Sequence, residues 1–327
     1  MSRERVYGAL AAQEGEYLSG QELSRRLGIS RAAVWKAVEA LRRQGFAIEA
    51  RTGMGYRLRP GDRLDRLSVE RCLAAPRENW RVLEEADSTN NVCKHLAEEG
   101  ATDGAVVIAD RQTAGKGRRG RSFSSPKGMG LYFSILWRPE ETAEALMPLT
   151  ALAAVAVCRA LDRLGAHDVR IKWPNDLVLN GRKLGGILTE MSLEGESGHV
   201  EYVVVGIGVN CRQKPEDFGP ELSEMAISLD MALPRQVGRA ALAAALMEEL
   251  DLLRREVLPH PALWLGEYRQ RCLTVGQPVQ VLRSGGCIRA QALAVDESYG
   301  LVVCGEDGKR ETLRSGEVSV RGLYGYV

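Results

Sequence analysis

The chain has 327 residues and sets 44 basic against 43 acidic side chains. No whole-molecule field therefore marks it as a polycation for nucleic acid or as an acidic solvating protein, and its length leaves room for two or three domains, each with its own core. The seven cysteines, at 72, 93, 158, 211, 272, 287 and 304, are odd in number and form no CxxC pair, and His95, His167, His199 and His260 show no HxxxH spacing. That excludes a disulfide framework and a zinc site as organising features and leaves the thiols reduced.

The stretch after Met1, Ser2-Arg3-Glu4-Arg5, does not resemble a signal peptide, and the most apolar run, Leu149 to Cys158, is about half a bilayer span. A cytoplasmic protein with no membrane role is expected. Charge is uneven locally, however. Residues 1 to 61 hold eleven Lys/Arg against six Asp/Glu, and Arg111 to Lys127 holds six basic residues and no acid.

The first sixty residues read as three helical patterns and a hairpin. A helix starts at Ser19, with Glu22 three residues on and Leu23 and Leu27 on its apolar side, and stops at Gly28. The next starts at Ser30 and aligns Val34, Val38 and Leu41, leaving Arg31, Lys36, Arg42 and Arg43 to solvent. "FAIEARTGMGYRL" then alternates around Gly53 and Gly55 as a basic hairpin. Helix, tight turn, basic helix and basic wing in that order make a winged helix-turn-helix, with Gln21, Arg31, Ala32, Lys36 and Arg51 as candidate DNA contacts. The alternative is a small helical domain with a solvated basic face. Trp35 is expected in the core, the other reading being a groove contact.

Pro60-Gly61-Asp62 forms a linker. Beyond it the strands "AVVIA", "LYFSILW", "GILTEMSL" and "VEYVVVGIGVN" alternate with helical patterns at 89–99, 144–164 and 237–256. Hairpin-like joints favour an α+β domain with a mixed or antiparallel sheet over a doubly wound one. From about Thr274, short strands broken at Gly285-Gly286, Tyr299-Gly300 and Asp307-Gly308 predict a small β-barrel or sandwich.

Two constellations carry chemistry. "TAGKGRRGRSF" sets Lys116, Arg118, Arg119 and Arg121 among Gly115, Gly117 and Gly120, a loop able to close on an anion. It formally matches GxGxxG, but no helix follows, so a dinucleotide site is rejected, and no GxxxxGK[ST] occurs. "IKWPNDLVLNGRKLGGILTE" places Lys172, Asn175, Asp176 and Lys183 around tight turns at Pro174 and Gly185-Gly186. A lysine at each end with Asn and Asp between suits a site that clamps a carboxylate and a nucleotide phosphate with Mg²⁺.

With "DSTN" (Asp87 to Asn90), "RQTAGKGRRGR", "KWPND", "GRKLGGIL" and "GIGVN" in this order, the chain resembles the bifunctional biotin-protein ligases that also repress the biotin operon. The resemblance spans essentially the whole chain. It implies a winged helix at 1–61, a biotin- and ATP-binding α+β catalytic domain with a mixed sheet at 65–270, and an SH3-like barrel at 271–327. It further implies ATP-dependent formation of biotinyl-5′-AMP and transfer of biotin to a biotin-carrier domain of acetyl-CoA carboxylase. Operator DNA would be the second partner, bound by a homodimer that the adenylate favours.

Position by position, the resemblance gives Ser88, Thr89, Asn90 and Gln112 to the biotin head, and Lys116, Gly117 and Arg118 to its tail and carboxylate. Lys183 would bridge carboxylate and phosphate, with Arg118 and Asp176 completing the catalytic set. Arg118, Arg119, Arg121, Phe123, Lys172, Asn175, Asp176 and Asn210 would serve ATP, with Asn175 and Asp176 holding Mg²⁺. Lys116 stands where the family usually has arginine and Phe123 where tryptophan is common, which exchanges a forked donor for a point charge and alters any adenine packing. A lipoate-protein ligase and a ligand-sensing repressor without catalysis are the alternatives.

Overall fold

The computed structural model describes residues 2–13, 15–59, 63–194, 199–283, 286–314 and 319–322; the Pro60-Gly61-Asp62 linker and Gly285 lie outside the described residues. The chain divides into two compact units, Met1–Arg63 and Leu64–Val327.

In the first unit, helices α1 (Ser2–Ala11), α2 (Gly20–Leu27) and α3 (Arg31–Arg43) precede a hairpin of β1 (Ile48–Arg51) and β2 (Gly55–Leu58). Both predicted helix starts are capped: Ser19 accepts the Glu22 N–H at 3.0 Å and Ser30 accepts the Ala33 N–H at 3.1 Å. Gly28 ends α2 at φ 62°, a left-handed position that suits glycine. Val6 and Leu10 of α1 and Val34, Val38 and Leu41 of α3 are buried, and Tyr7 meets Phe46 with ring centroids 4.8 Å apart.

Trp35 is not in this core. The buried positions of α3 are Val34, Ala37, Val38 and Leu41. Trp35 lies one residue, or about 100°, off that stripe and is 55% exposed. The expectation of a core tryptophan is therefore corrected.

The second unit is built on a seven-stranded sheet. In chain order its elements are α4 (Arg66–Glu70), β3 (Trp80–Leu83), α5 (Thr89–Glu98), β4 (Ala105–Ala109), β5 (Gly130–Trp137), α6 (Leu149–Arg163), β6 (Arg170–Lys172), β7 (Asp176–Leu179), β8 (Arg182–Leu193), β9 (Val200–Asn210), α7 (Leu229–Ala232), α8 (Arg239–Leu252) and α9 (Leu265–Arg271). The strand order is β3-β4-β5-β9-β8-β7-β6. Only β3 and β4 pair in parallel, so the sheet is mixed.

The alanine-rich run that opens α6 is buried from Ala151 through Cys158. Small side chains all round let this helix sit in the core among α8 and the sheet. No helix among the described residues is long and apolar enough to cross a membrane. On a separate cluster, Cys93, Leu96 and Ala97 of α5 pack against Val107, Leu136 and Val204 of the sheet.

Strands β10 (Pro278–Arg283), β11 (Gly286–Val295), β12 (Leu301–Gly305), β13 (Arg310–Leu313) and β14 (Ser319–Gly322) form an antiparallel sheet in the order β13-β12-β11-β10-β14. The expected SH3-like barrel is not closed: β13 and β14 are opposite edges, with no ladder between them among the described residues. Val279, Val281, Ala292, Leu301 and Val303 join the same hydrophobic cluster as the seven-stranded sheet, so burial against that neighbour replaces closure.

Candidate functional site

One cavity of about 670 Å³ opens where α5, the β4–β5 connection, the β6–β7 turn, the first half of β8 and the end of β9 converge. Ser88, Thr89, Asn90, Gln112, Lys116, Gly117, Arg118, Arg119, Arg121, Phe123, Lys172, Asn175, Asp176, Lys183 and Asn210 all line it.

Its first end is neutral and tightly tied. Ser88 is the N-cap residue of α5, and Thr89 and Asn90 form the first turn. The Thr89 N–H and hydroxyl donate to Gln112 Oε1 at 2.8 and 3.2 Å, and Gln112 Nε2 donates to Ser125 Oγ at 2.9 Å. Ser134 lies 2.7 Å from Thr89 Oγ1 and donates to Asn90 Oδ1 at 2.6 Å. Asn90 Nδ2 donates to Glu190 Oε2 at 2.7 Å, and Lys94 donates to the other Glu190 oxygen at 2.5 Å. Burial pushes the Glu190 carboxyl up, but Lys94 and Asn90 outweigh it and hold the pKa below the ordinary range. The strand beneath has no room for a side chain: a Cβ at Gly206 would fall 2.0 Å from Asn90 Oδ1.

Ser134 and Glu190 were not among the residues singled out from sequence. Their signals were a lone polar residue in an apolar strand, Ser134 inside "LYFSILW", and a single charge in a strand, Glu190 inside "GILTEMSL".

The second end is charged. The glycine-rich loop folds back as a small hairpin, with the Gly117 N–H donating to Arg121 O at 2.7 Å and the Phe123 N–H to Gly115 O at 2.8 Å. At its tip Arg119 holds φ 59°, a left-handed conformation that costs on the order of 1 kcal/mol for a side chain of this kind. Arg118 donates to Asn175 Oδ1 at 3.0 Å, and Lys183 donates to Asp176 Oδ1 at 2.6 Å. Burial lowers the Arg118 pKa, with the Asp176 charge acting against it. Lys116 reaches Asn91 Oδ1 at 2.5 Å.

Phe123 lies against Gly208, where a Cβ would come within 2.7 Å of the ring, and edge-on to Tyr132. The Asn210 amide is anchored within the protein, donating to Ile227 O and accepting from Gln213, each at 3.2 Å, while the residue still lines the cavity. The stretch that follows adds Gln213, Asp217, Phe218, Glu221, Leu222 and Met225 to the cavity wall; sequence reasoning did not reach these residues.

The KWPND turn is held from behind. Trp173 is buried and joined to Pro174 by a cis peptide bond. Its backbone N–H donates to Thr274 Oγ1 at 2.9 Å and its indole N–H to Tyr299 O at 3.0 Å. Lys172 and Asn175 on either side of it thus face the cavity from a fixed base.

In the first unit the structure sorts the charges. Glu22 engages Arg25 and Arg26, and Glu49 engages Arg57 and Arg59, hydrogen bonds that hold each carboxyl down at about 2. Arg42 pairs with Glu39. Gln21, Arg31, Ala32, Lys36 and Arg51 are exposed, and the three cations among them make no ion pair among the described residues.

Two family models match the chain: an HTH domain at residues 3–57 and the biotin/lipoate A/B protein ligase family at residues 82–210. Over 307 residues the chain is 35% identical to the bifunctional ligase/repressor BirA of Bacillus subtilis strain 168, covering 91% of this chain and 93% of that protein. It is 34% identical over 241 residues to the biotin acetyl-CoA-carboxylase ligase of Mycobacterium tuberculosis H37Rv, covering 70% and 85%. Among solved structures, the biotin protein ligase from Aquifex aeolicus in complex with biotin and ATP superposes with a TM-score of 0.62 at 28% identity, over 75% of this chain and all of that one.

Proposed function

The chain belongs to the family of bifunctional biotin ligase/repressors, and from that membership we propose how its two units divide the work. Residues 65–270 activate biotin with ATP to biotinyl-5′-AMP and pass the biotinyl group to a lysine of the biotin-carrier domain of acetyl-CoA carboxylase. Residues 1–61 bind operator DNA, with the same adenylate as corepressor, and residues 271–327 support the catalytic turn.

One observation carries the ligase reading: a neutral, pre-tied polar pocket and a cluster of cations share a single cavity. Ser88, Thr89, Asn90 and Gln112 suit the ureido head of biotin, whose carbonyl and N–H groups need fixed partners of both kinds. The carboxylate tail then points to Lys116, Arg118 and Lys183. There it attacks the α-phosphorus of ATP, the bond to pyrophosphate breaks, and pyrophosphate leaves. Two anions must meet in this step, so Lys183 and Arg118 lower the barrier by holding positive charge where negative charge concentrates. Arg119, Arg121 and Lys172 gather the phosphates, and the loop keeps water from the finished anhydride.

Asn175 and Asp176 offer two oxygens that face Arg118 and Lys183, and no group of three His, Cys, Asp or Glu assembles among the described residues. Such a pair suits Mg²⁺ that arrives with the triphosphate, keeps most of its water and offsets phosphate charge, rather than a resident ion. With its amide engaged, Asn210 serves by holding the 213–227 wall.

For repression, the adenylate must bind the operator-competent homodimer more tightly than the monomer, since equal affinity shifts nothing. The test is incubation with ATP, a biotin-carrier domain and either biotin or lipoate, together with a gel shift with and without biotin plus ATP. Biotin transfer and ligand-enhanced operator binding are expected. Lipoate transfer would move the chain to the lipoate class; no transfer at all would leave a ligand-sensing repressor.

A further inference from the structure

Of the five tryptophans, Trp80, Trp137, Trp173 and Trp264 are at most 6% exposed, whereas Trp35 is 55% exposed. It sits in the second turn of α3, four residues after Arg31 and next to Lys36, about 100° round the helix from the buried stripe of Val34, Val38 and Leu41. Ala32, also exposed, lets this part of the helix approach a partner closely. The surface therefore has a large apolar ring set among Arg31, Lys36 and, on the wing, Arg51, none of which is neutralised by a carboxylate among the described residues.

We infer that Trp35 reads sequence by packing its indole on a thymine C5-methyl in the major groove, beside cations that hold the phosphates. The inference rests on the operator-binding reading above. Charge complementarity selects DNA as the occupant: an anionic partner is required by the cations. Within the major groove, the apolar group that a base pair offers is the thymine methyl. Phosphates and sugars give the indole nothing sequence-specific to recognise, while the N-terminal half of the second helix is the part that reaches base edges in this motif. Arg31 and Lys36 position the helix, and Trp35 discriminates.

The experiment uses the full-length protein with biotin and ATP and duplexes enriched by it from a random pool. Each thymine of the enriched site is replaced singly by uracil, which deletes only the methyl. Wild type should lose about fourfold in affinity at one thymine per half-site, the worth of one buried methyl. Trp35→Ala should bind more weakly overall, be indifferent to that replacement and keep the wild-type salt dependence, because no charge is removed. Lys36→Ala should keep the methyl preference and lower the salt slope by about one. Trp35→Phe should restore part of the discrimination.

The inference is overturned if wild type ignores every thymine-to-uracil change, or if Trp35→Ala still senses it. Failure to enrich any duplex would remove the DNA reading and this inference with it. A shift in oligomeric state confined to Trp35→Ala, with methyl sensing absent from wild type, would reassign the ring to contact with a second copy.

Discussion

The two ends of the cavity solve recognition differently. At the head end Ser88, Thr89, Asn90 and Ser134 are buried, and the side chains of Thr89, Asn90 and Ser134 are tied to one another, to Gln112 and to Glu190. At the other end cations project from a glycine-rich hairpin and from strand ends, where Arg118 bonds Asn175 and Lys183 bonds Asp176. The head end is organised before any ligand arrives. On the proposed reading, the charged end is the one that meets phosphate charge as it builds and departs. A site that holds one constant group and one reacting group gains from having both kinds of wall.

Lys183→Ala tests the division hardest. Adenylate formation, read by pyrophosphate exchange, should fall about a hundredfold or more, the scale of losing one preorganised charge-stabilising donor. Biotin affinity measured by calorimetry should change far less. Near-wild-type exchange would remove Lys183 from the chemistry. Arg118→Gly sharpens the picture of the loop: escape of the intermediate should rise more than its formation falls, so that bystander lysines become biotinylated. Labelling confined to the proper acceptor would mean that another element retains the adenylate.

From the head end, Gly206→Ala should cost about tenfold in biotin affinity while leaving turnover at saturating biotin nearly intact, because the new Cβ displaces Asn90 and breaks its buried hydrogen bonds. An equal loss in both parameters would show that the two ends are not separable. The smallest effect concerns pH. Since the Glu190 carboxyl is held below its ordinary pKa in the fold, its contribution is complete above the ordinary carboxylate range and is lost as pH falls through the lowered value. Thermal melts from neutral pH down to about pH 3 should therefore show Glu190→Gln losing less stability on acidification than wild type. Parallel curves for the two proteins would remove Glu190 from the acid response.

Local signals made much of this readable in advance. Ser19 and Ser30 are caps, the four apolar runs lie in strands, and the charged motifs line one cavity, because caps, period-two runs and turn residues act over a few positions. What was not readable depends on distant neighbours. Asn90 meets Ser134 and Glu190 across 44 and 100 residues, and the occupied amide of Asn210 depends on a wall 17 residues further on. Trp35 was misassigned because a single position separates it from the buried stripe, and hydrophobicity alone cannot resolve that phase. Strand spacing also left barrel and sandwich open at the C-terminus, because it says nothing about which edges meet, and β13 and β14 share no ladder among the described residues.

Thr274 and Tyr299, which grip Trp173, belong to a part of the chain that contributes no side chain of theirs to the cavity wall. The KWPND turn consequently borrows its stiffness from residues a hundred or more positions later in the chain. During synthesis the motif emerges early but stays unbraced until Thr274 and Tyr299 have been added. A nascent chain therefore carries this turn before it carries the two residues that hold it in place.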